Sequence, residues 1–405
     1  MIDIKWLRDN VSSYKEVLQA RNSDIDLDNF LELDNKRNTL LNNIQNLRSK
    51  LNLKTKPSAK SMADLKASKE NLKVLENDFE QLDKNYQIIL KQMPNIYAPD
   101  TVLGGEENNV IESVYGTDKT AHYSQEELLY KYNLVDFKKG AQAAGSKFFY
   151  GNNTYFKLFR AMTDMALEIL EKYNFKIITV PYMVNEDIAA GTGYLPHDQQ
   201  EQNYRDTAQG MVMIATAEMP LTAYHKDDLL DLSKPKLYAA LSPCYRLEAG
   251  SYGKYSTGLY RVHQFEKLEM YGFAASQDSD QVQQLILKIE KEIAETLNIN
   301  YRVVRSSVGD LSAAAYKKYD IEYLSIHENI YHELTSCSNC SDFQARRLNI
   351  RYIDSEGQKR YAHTVNGTAI TSSRSIIAYL ENNQDDKGNI LITEGLYPYY
   401  KKETL

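Results

Sequence analysis

Cysteine is scarce. Cys244, Cys337 and Cys340 are the only three in 405 residues. A sparse, odd set argues against a disulfide framework and for a reducing compartment. Long apolar runs are missing too, so no membrane span is expected. The opening stretch MIDIKWLRDN carries charge from its third residue and lacks the apolar centre of a secretory leader. The expected location is therefore cytoplasmic. Positive charge is not in excess: the formal net charge of -7 excludes a uniformly basic nucleic-acid coat, though not a local basic patch. No GxxxxGKS or GxxxxGKT stretch occurs, which argues against a Walker-type phosphate loop. At 42% hydrophobic and 25% charged residues, what remains is an ordinary globular composition.

Periodicity is present in the first quarter. Leu65, Leu72, Phe79, Tyr86 and Met93 recur every seven residues, and Leu75, Leu82 and Ile89 follow three places on, with Ser68 breaking that second set. This is an a/d seam on one long helix. Leu33, Leu40 and Leu47, flanked by Ile44 and Leu51, form a similar row upstream. NLKTKPSAKS between them, with Pro57, reads as a turn, so the two helices should run antiparallel as a hairpin projecting from the body. Its far end is basic: Arg48, Lys50, Lys54, Lys56, Lys60, Lys66 and Lys69 are opposed within that stretch only by Asp64. The run reads equally as a solvated surface or as a phosphate-backbone contact.

The remainder mixes elements. Residues 1–100 are expected to form the helical-hairpin domain, 101–145 a linker and approach, and 146–405 the main domain. Helices are expected near 124–132, with Ser124 as N-cap, and near 154–173, 279–297 and 372–382. Strands are expected near 212–216, 239–247, 260–273, 301–305, 332–335 and 360–366. FKIITVPYMV reads as a strand interrupted by Pro181. Strands grouped without regular βαβ alternation predict an α+β fold with an antiparallel sheet.

The chemistry concentrates in CYRLEAGSYGKYSTGLYRVHQFEKLE, residues 244–269. Side chains two apart on a strand share a face. Arg246 and Glu248 should therefore face together, as should Arg261, His263, Phe265, Lys267 and Glu269 on the returning strand. A face of cations, carboxylates and one ring is costly to bury idly. A flat ring suits a purine, and guanidinium forks suit phosphates. A surface ion-pair network across a hairpin is the plainer alternative. For His263, a hydrogen-bonded structural role is favoured over a catalytic one. Cys337-Ser-Asn-Cys340 has only half of a zinc spacing.

RLE at 246–248 and RVHQFEKLE at 261–269 resemble motif 2 of the class II aminoacyl-tRNA synthetases. TAEMPLT at 216–222, SPCYRLEAGSYG at 242–253, ELTSCSNCSDFQARR at 333–347 and NGTAITSSRSIIAYLEN at 366–382 extend the match, in order, to the bacterial-type seryl-tRNA synthetases. The helical hairpin followed by MPN at 93–95 resembles that family's tRNA-binding arm. The resemblance implies activation of L-serine with ATP and Mg²⁺, then transfer to the 3' end of serine tRNA. By it, Arg246, Arg374 and Glu333 are catalytic. Glu248, Arg261, Val262, Phe265 and Ser336 join them around ATP, with Glu333 and Ser336 at the Mg²⁺. Thr216, Glu218, Arg246, Glu269, Asn366 and Thr368 would hold serine. Pro181 resembles the motif 1 proline at a homodimer interface, and Arg48, Lys50, Lys54, Lys56 and Lys60 are candidate tRNA contacts.

Two stretches depart from the family pattern. The hairpin is short and lacks the Arg-Asn…Ser-Lys run at the end of its first helix. The loop SYGKYSTGL has Lys254, Tyr255 and Thr257 where the family often has Arg, Asp and a second Arg. Two alternatives stay open beside the ligase: a paralog activating a small amino acid for another acceptor, and a non-catalytic tRNA- or nucleotide-binding regulator.

Overall fold

The structure is a computed structural model describing residues 1–52, 59–194, 203–248 and 258–405, with backbone only for 59–64. Lys54, Lys56, Lys254, Tyr255 and Thr257 lie outside the described residues, as does the Lys60 side chain. Two compact units result, Met1–Pro94 and Asn95–Leu405.

In the first unit, helices Leu27–Leu51 and Ala59–Gln92 pack along their lengths. The heptad leucines are half-buried, whereas Tyr86 and Met93 of the same seam are buried, as are Phe30, Asp34 and Ile44 of the first helix. Phe30 stacks on Tyr86 at 4.9 Å between centroids, and Arg37 lies over Tyr86 at 4.8 Å. Asp34 is only 1% exposed and survives there because Arg8 binds it with two nitrogens, Nε at 2.6 Å and Nη2 at 2.9 Å. Arg48 is tied to Glu76 at 2.8 Å, so part of the expected basic run is neutralised by the facing helix. Lys50, Lys66 and Lys69 are exposed.

The second unit is built on eight strands: β1 Val110–Tyr115, β2 Lys176–Ile177, β3 Lys236–Tyr245, β4 Gln264–Ala274, β5 Tyr301–Arg305, β6 Lys317–Ser325, β7 Ile330–Asn339 and β8 His363–Thr371. Their order is β1-β5-β6-β7-β8-β4-β3-β2. Every neighbouring pair is antiparallel except β2 with β3. Pro181 follows β2 in a stretch without ladder bonds, as a residue with no amide donor must. The expected helices form at Gln125–Lys131, Asn153–Lys172, Ser279–Thr296 and Arg374–Asn382, the first closed by a Ser124/Glu127 capping box.

One sheet face is largely apolar. Leu268 and Met270 of β4 pack there with Ile286, Ile289 and Ile293 of the long core helix Ser279–Thr296. The other face changes character along its length. Tyr271 and Phe273 of β4 lie under the short helices Glu186–Thr192, Glu218–Ala223 and Phe343–Leu348. Phe265, Lys267 and Glu269, at the near end of the same row, are left facing a cleft. Among the described residues no helix is long and apolar enough to cross a membrane.

Candidate active site

The cleft encloses about 430 Å³ over β4, β7 and β8. Its mouth is made by the residues that leave the β3–β4 hairpin. β3 ends at Tyr245 and β4 begins at Gln264, so Arg246, Glu248, Arg261 and His263 lie beyond the ladder, and a period of two does not govern them. Glu248 has a left-handed backbone (φ 47°), which turns the chain. Arg246 and Glu248 still line the cleft together, while Arg261 does not: its guanidinium pairs with Glu248 at 2.9 Å. His263 points away, with Nδ1 2.9 Å from the Arg246 carbonyl, and is structural.

Two clusters of side chains occupy the cleft. In the first, Thr216 Oγ1 accepts from the Glu218 amide at 3.2 Å and donates to Glu269 Oε2 at 3.1 Å. Glu218 accepts from Tyr194 at 2.9 Å, Gln344 at 2.7 Å and Asn366 at 3.1 Å. Lys267 Nζ is in ion-pair contact with Glu269, and both are buried. Thr368 stands beside Glu269 in the β4–β8 register. Burial, with the neighbouring Glu269 charge, pushes the Glu218 carboxyl up to about 7, against the pull of Gln344 and Tyr194.

In the second cluster, Arg374 opens the helix Arg374–Asn382 and donates to Glu333 Oε1 at 2.8 Å. Arg374 also stands over the Tyr260 ring at 4.6 Å. Desolvation would raise the Glu333 carboxyl, but Arg374 and Lys318 outweigh it and hold it below the ordinary range. Lys318 binds Asp310 at 3.2 Å and Asp320 at 3.0 Å. Ser336 sits opposite Asp320 in the β6–β7 register. Arg246 lies between the clusters: its charge reaches Tyr194 of the first and Glu333 of the second. Its guanidinium sits 5.2 Å over Phe265.

The structure thus brings Glu218, Arg246, Glu248, Val262, Phe265, Glu269, Glu333, Ser336, Asn366, Thr368 and Arg374 to one cleft. Thr216 is buried one hydrogen bond behind it, and Arg261 stands outside. Sequence reasoning assigned no role to Lys267, Lys318, Tyr194, Tyr260 or Gln344. Lys267 carried a signal, since it falls on the row of Phe265 and Glu269. Tyr194 and Lys318 carried none, because only the fold brings residues so distant in sequence to the cleft.

The arrangement can bind an anion between guanidinium groups and, beside it, a small molecule bearing an amine and a hydroxyl. Residues 1–97 match the Seryl-tRNA synthetase N-terminal domain, and residues 200–383 the tRNA synthetase class II core domain (G, H, P, S and T). A serine–tRNA ligase of Dictyoglomus turgidum is 38% identical and one of Treponema denticola 37%, each over 98% of both chains. Among solved structures, a seryl-tRNA synthetase from Pyrococcus horikoshii complexed with ATP superposes with a TM-score of 0.90 at 32% identity, covering 100% of this chain and 99% of that one. A cytoplasmic serine–tRNA ligase from Naegleria fowleri in complex with AMP gives 0.83 at 27% identity, covering 98% and 95%. With relatives this similar along the whole chain, and both family models matched in order, the chain belongs to the seryl-tRNA synthetase family of class II ligases.

Proposed function

We propose that the first cluster holds L-serine and the second the triphosphate of ATP, so that Arg246 meets both reacting anions. The activity is that of a serine–tRNA ligase: serine is activated to its adenylate and passed to tRNA. The observation that carries the residue assignment is the continuity of a carboxylate-and-hydroxyl pocket with an arginine cluster in one cleft.

Serine's carboxylate attacks the α-phosphorus, the bond to the bridging oxygen breaks, and pyrophosphate leaves. A carboxylate is already ionised at neutral pH, so no general base is required. The barrier lies in bringing two anions together, and positioned cations lower it. Arg246 binds the serine carboxylate and the α-phosphate. Phe265 stacks on adenine, and Glu248 accepts from its exocyclic amine. Arg374 neutralises the outer phosphates. Arg261 reaches them by exchanging Glu248 for phosphate, since the two are paired here.

Glu333 and Ser336 suit the Mg²⁺ that accompanies ATP. Both offer hard oxygen to the cleft, and Arg374 engages Glu333 through Oε1. The ion's contribution is charge neutralisation on the phosphates. At the other end, Glu269 and Glu218 take the serine ammonium, and Glu269 with Thr368 reads the hydroxyl. Alanine offers no hydroxyl to Glu269 and Thr368, forgoes those hydrogen bonds and is disfavoured for that reason. A ribose hydroxyl at the tRNA end then attacks the carbonyl of the adenylate and releases AMP.

Full-length similarity across both the hairpin and the core favours this reading over a ligase for another acceptor, and the filled set of cleft residues favours it over a silent regulator. The location is read as cytoplasmic, as befits tRNA charging. The test is ATP–pyrophosphate exchange across a panel of small amino acids. Exchange with serine and not alanine is expected, and folded protein that exchanges with none overturns the reading.

A further inference from the structure

The long core helix buries three polar side chains, Ser279 at its start and two further along. Gln283 and Glu290, two turns apart, are 1% and 2% exposed among Val282, Ile286, Ile289 and Ile293. Gln283 binds the carbonyls of Lys317 and Cys337. A buried carboxyl needs a stronger reason, because it costs free energy unless it satisfies something else.

The strands above supply one. β7 and β8 are paired from Asn339 and Val365 to Cys337 and Gly367, and there the ladder ends. On the other side of β8, the register with β4 shifts between Leu268 and Glu269, so that Glu269 faces Thr368 and Leu268 faces Ile370. The Thr368 amide stands at this break. It donates to Glu290 Oε1 at 2.9 Å. Gly367 permits the approach: a Cβ there would lie 2.8 Å from Glu290 Oε1 and 2.4 Å from Ile286 Cγ2. Such register breaks beside active sites re-aim side chains. Here the residue re-aimed is Thr368, which shares the cleft with Glu269 and Asn366.

We propose that Glu290 is a positioning residue for the amino-acid end of the cleft. From beneath the sheet it takes the Thr368 amide where β7 and β8 part, and it fixes the kink that sets Thr368 against Glu269. The inference rests on the reading that this end holds serine. Burial raises the Glu290 carboxyl above the usual carboxylate range, and its Oε1 accepts from the Thr368 amide. Glutamine keeps an acceptor oxygen at the same reach.

The test uses the full chain with E290Q, E290D and E290A, measuring serine-dependent pyrophosphate exchange and thermal unfolding. E290Q is expected to keep the serine KM within about twofold of the parent, because the acceptor is retained. E290D draws the carboxyl back by roughly one bond length, about 1.5 Å, and should raise the serine KM about tenfold, the order expected for one lost buried hydrogen bond. The KM for ATP should stay within about twofold in both, since the second cluster is untouched. E290A should match E290D in its serine effect, and if it does not fold, E290D and E290Q decide. Equal shifts in the serine and ATP KM, or no shift with E290D, overturn the inference. If the parent itself shows no serine dependence, the functional reading fails instead.

Discussion

Glu218 and Glu269 share one pocket and one prospective cation, which couples serine binding to protons. Because Glu218 is held near 7 by burial and by Glu269, it carries a proton in the empty site below neutral pH. Its folded pKa lies above the unfolded value, so the folded state holds the extra proton. Stability from this group is therefore greatest at low pH and falls as pH rises from about 4.5 towards 7. Serine's ammonium favours the ionised pair, so binding should expel that proton. We predict proton release on serine binding at pH 6.5, read as a dependence of calorimetric heat on buffer ionisation enthalpy, and its loss in E218Q. Buffer-independent heat in the parent would refute the assignment. The motif legible in sequence supplied most cleft residues by type, yet it misplaced two, Arg261 and His263. Arg246, Glu248, Arg261 and His263 lie past the ends of their strands, where backbone direction is set by the turn at Glu248 and not by pleat.

Among elements, β4 shows how much alternation alone can say. Phe265, Lys267, Glu269, Tyr271 and Phe273 form one row, charged where it faces the cleft and aromatic where the short helices cover it. β6 has the same alternation, with Tyr319, Ile321 and Tyr323 facing the core, but its interleaved Lys318, Asp320 and Glu322 disguised it. β1 falls within the stretch expected to be linker, since no apolar row marks it, and nearly all of its residues are exposed. The hairpin helices were the most legible elements, since a seam repeated over several turns is hard to mistake. We propose the basic stretch between them as a tRNA contact. Replacing Lys54, Lys56 and Lys60 with Ala should weaken tRNA binding and reduce the magnitude of its salt slope by about 2 to 3, while leaving pyrophosphate exchange unchanged. An unaltered slope in a filter-binding series would remove these lysines from the footprint.

For the whole molecule, β2 leaves a sheet edge with exposed apolar groups. Ile177 is 40% and Tyr182 49% exposed on either side of Pro181. An uncovered edge of this kind invites pairing, and we propose that it forms part of a homodimer interface. Sedimentation should then give about twice the 46.5 kDa chain mass. Placing Asp at both Ile177 and Tyr182 should shift the protein towards monomer. A monomeric parent at micromolar concentration would exclude the dimer.

Local order was already written in the chain: the heptad seam, the amphipathic helices, the capping box at Ser124 and the residue types of the cleft. These follow from periodicities of three to seven residues, which need no knowledge of distant contacts. Folding alone settled which charges meet. Arg374 and Glu333 are 41 positions apart, Gln344 and Glu218 are 126 apart, and Thr368 and Glu290 are 78 apart. Their pairing depends on strand order and on the point where β7 and β8 separate, and a pattern of neighbours cannot carry information about contacts made across a sheet.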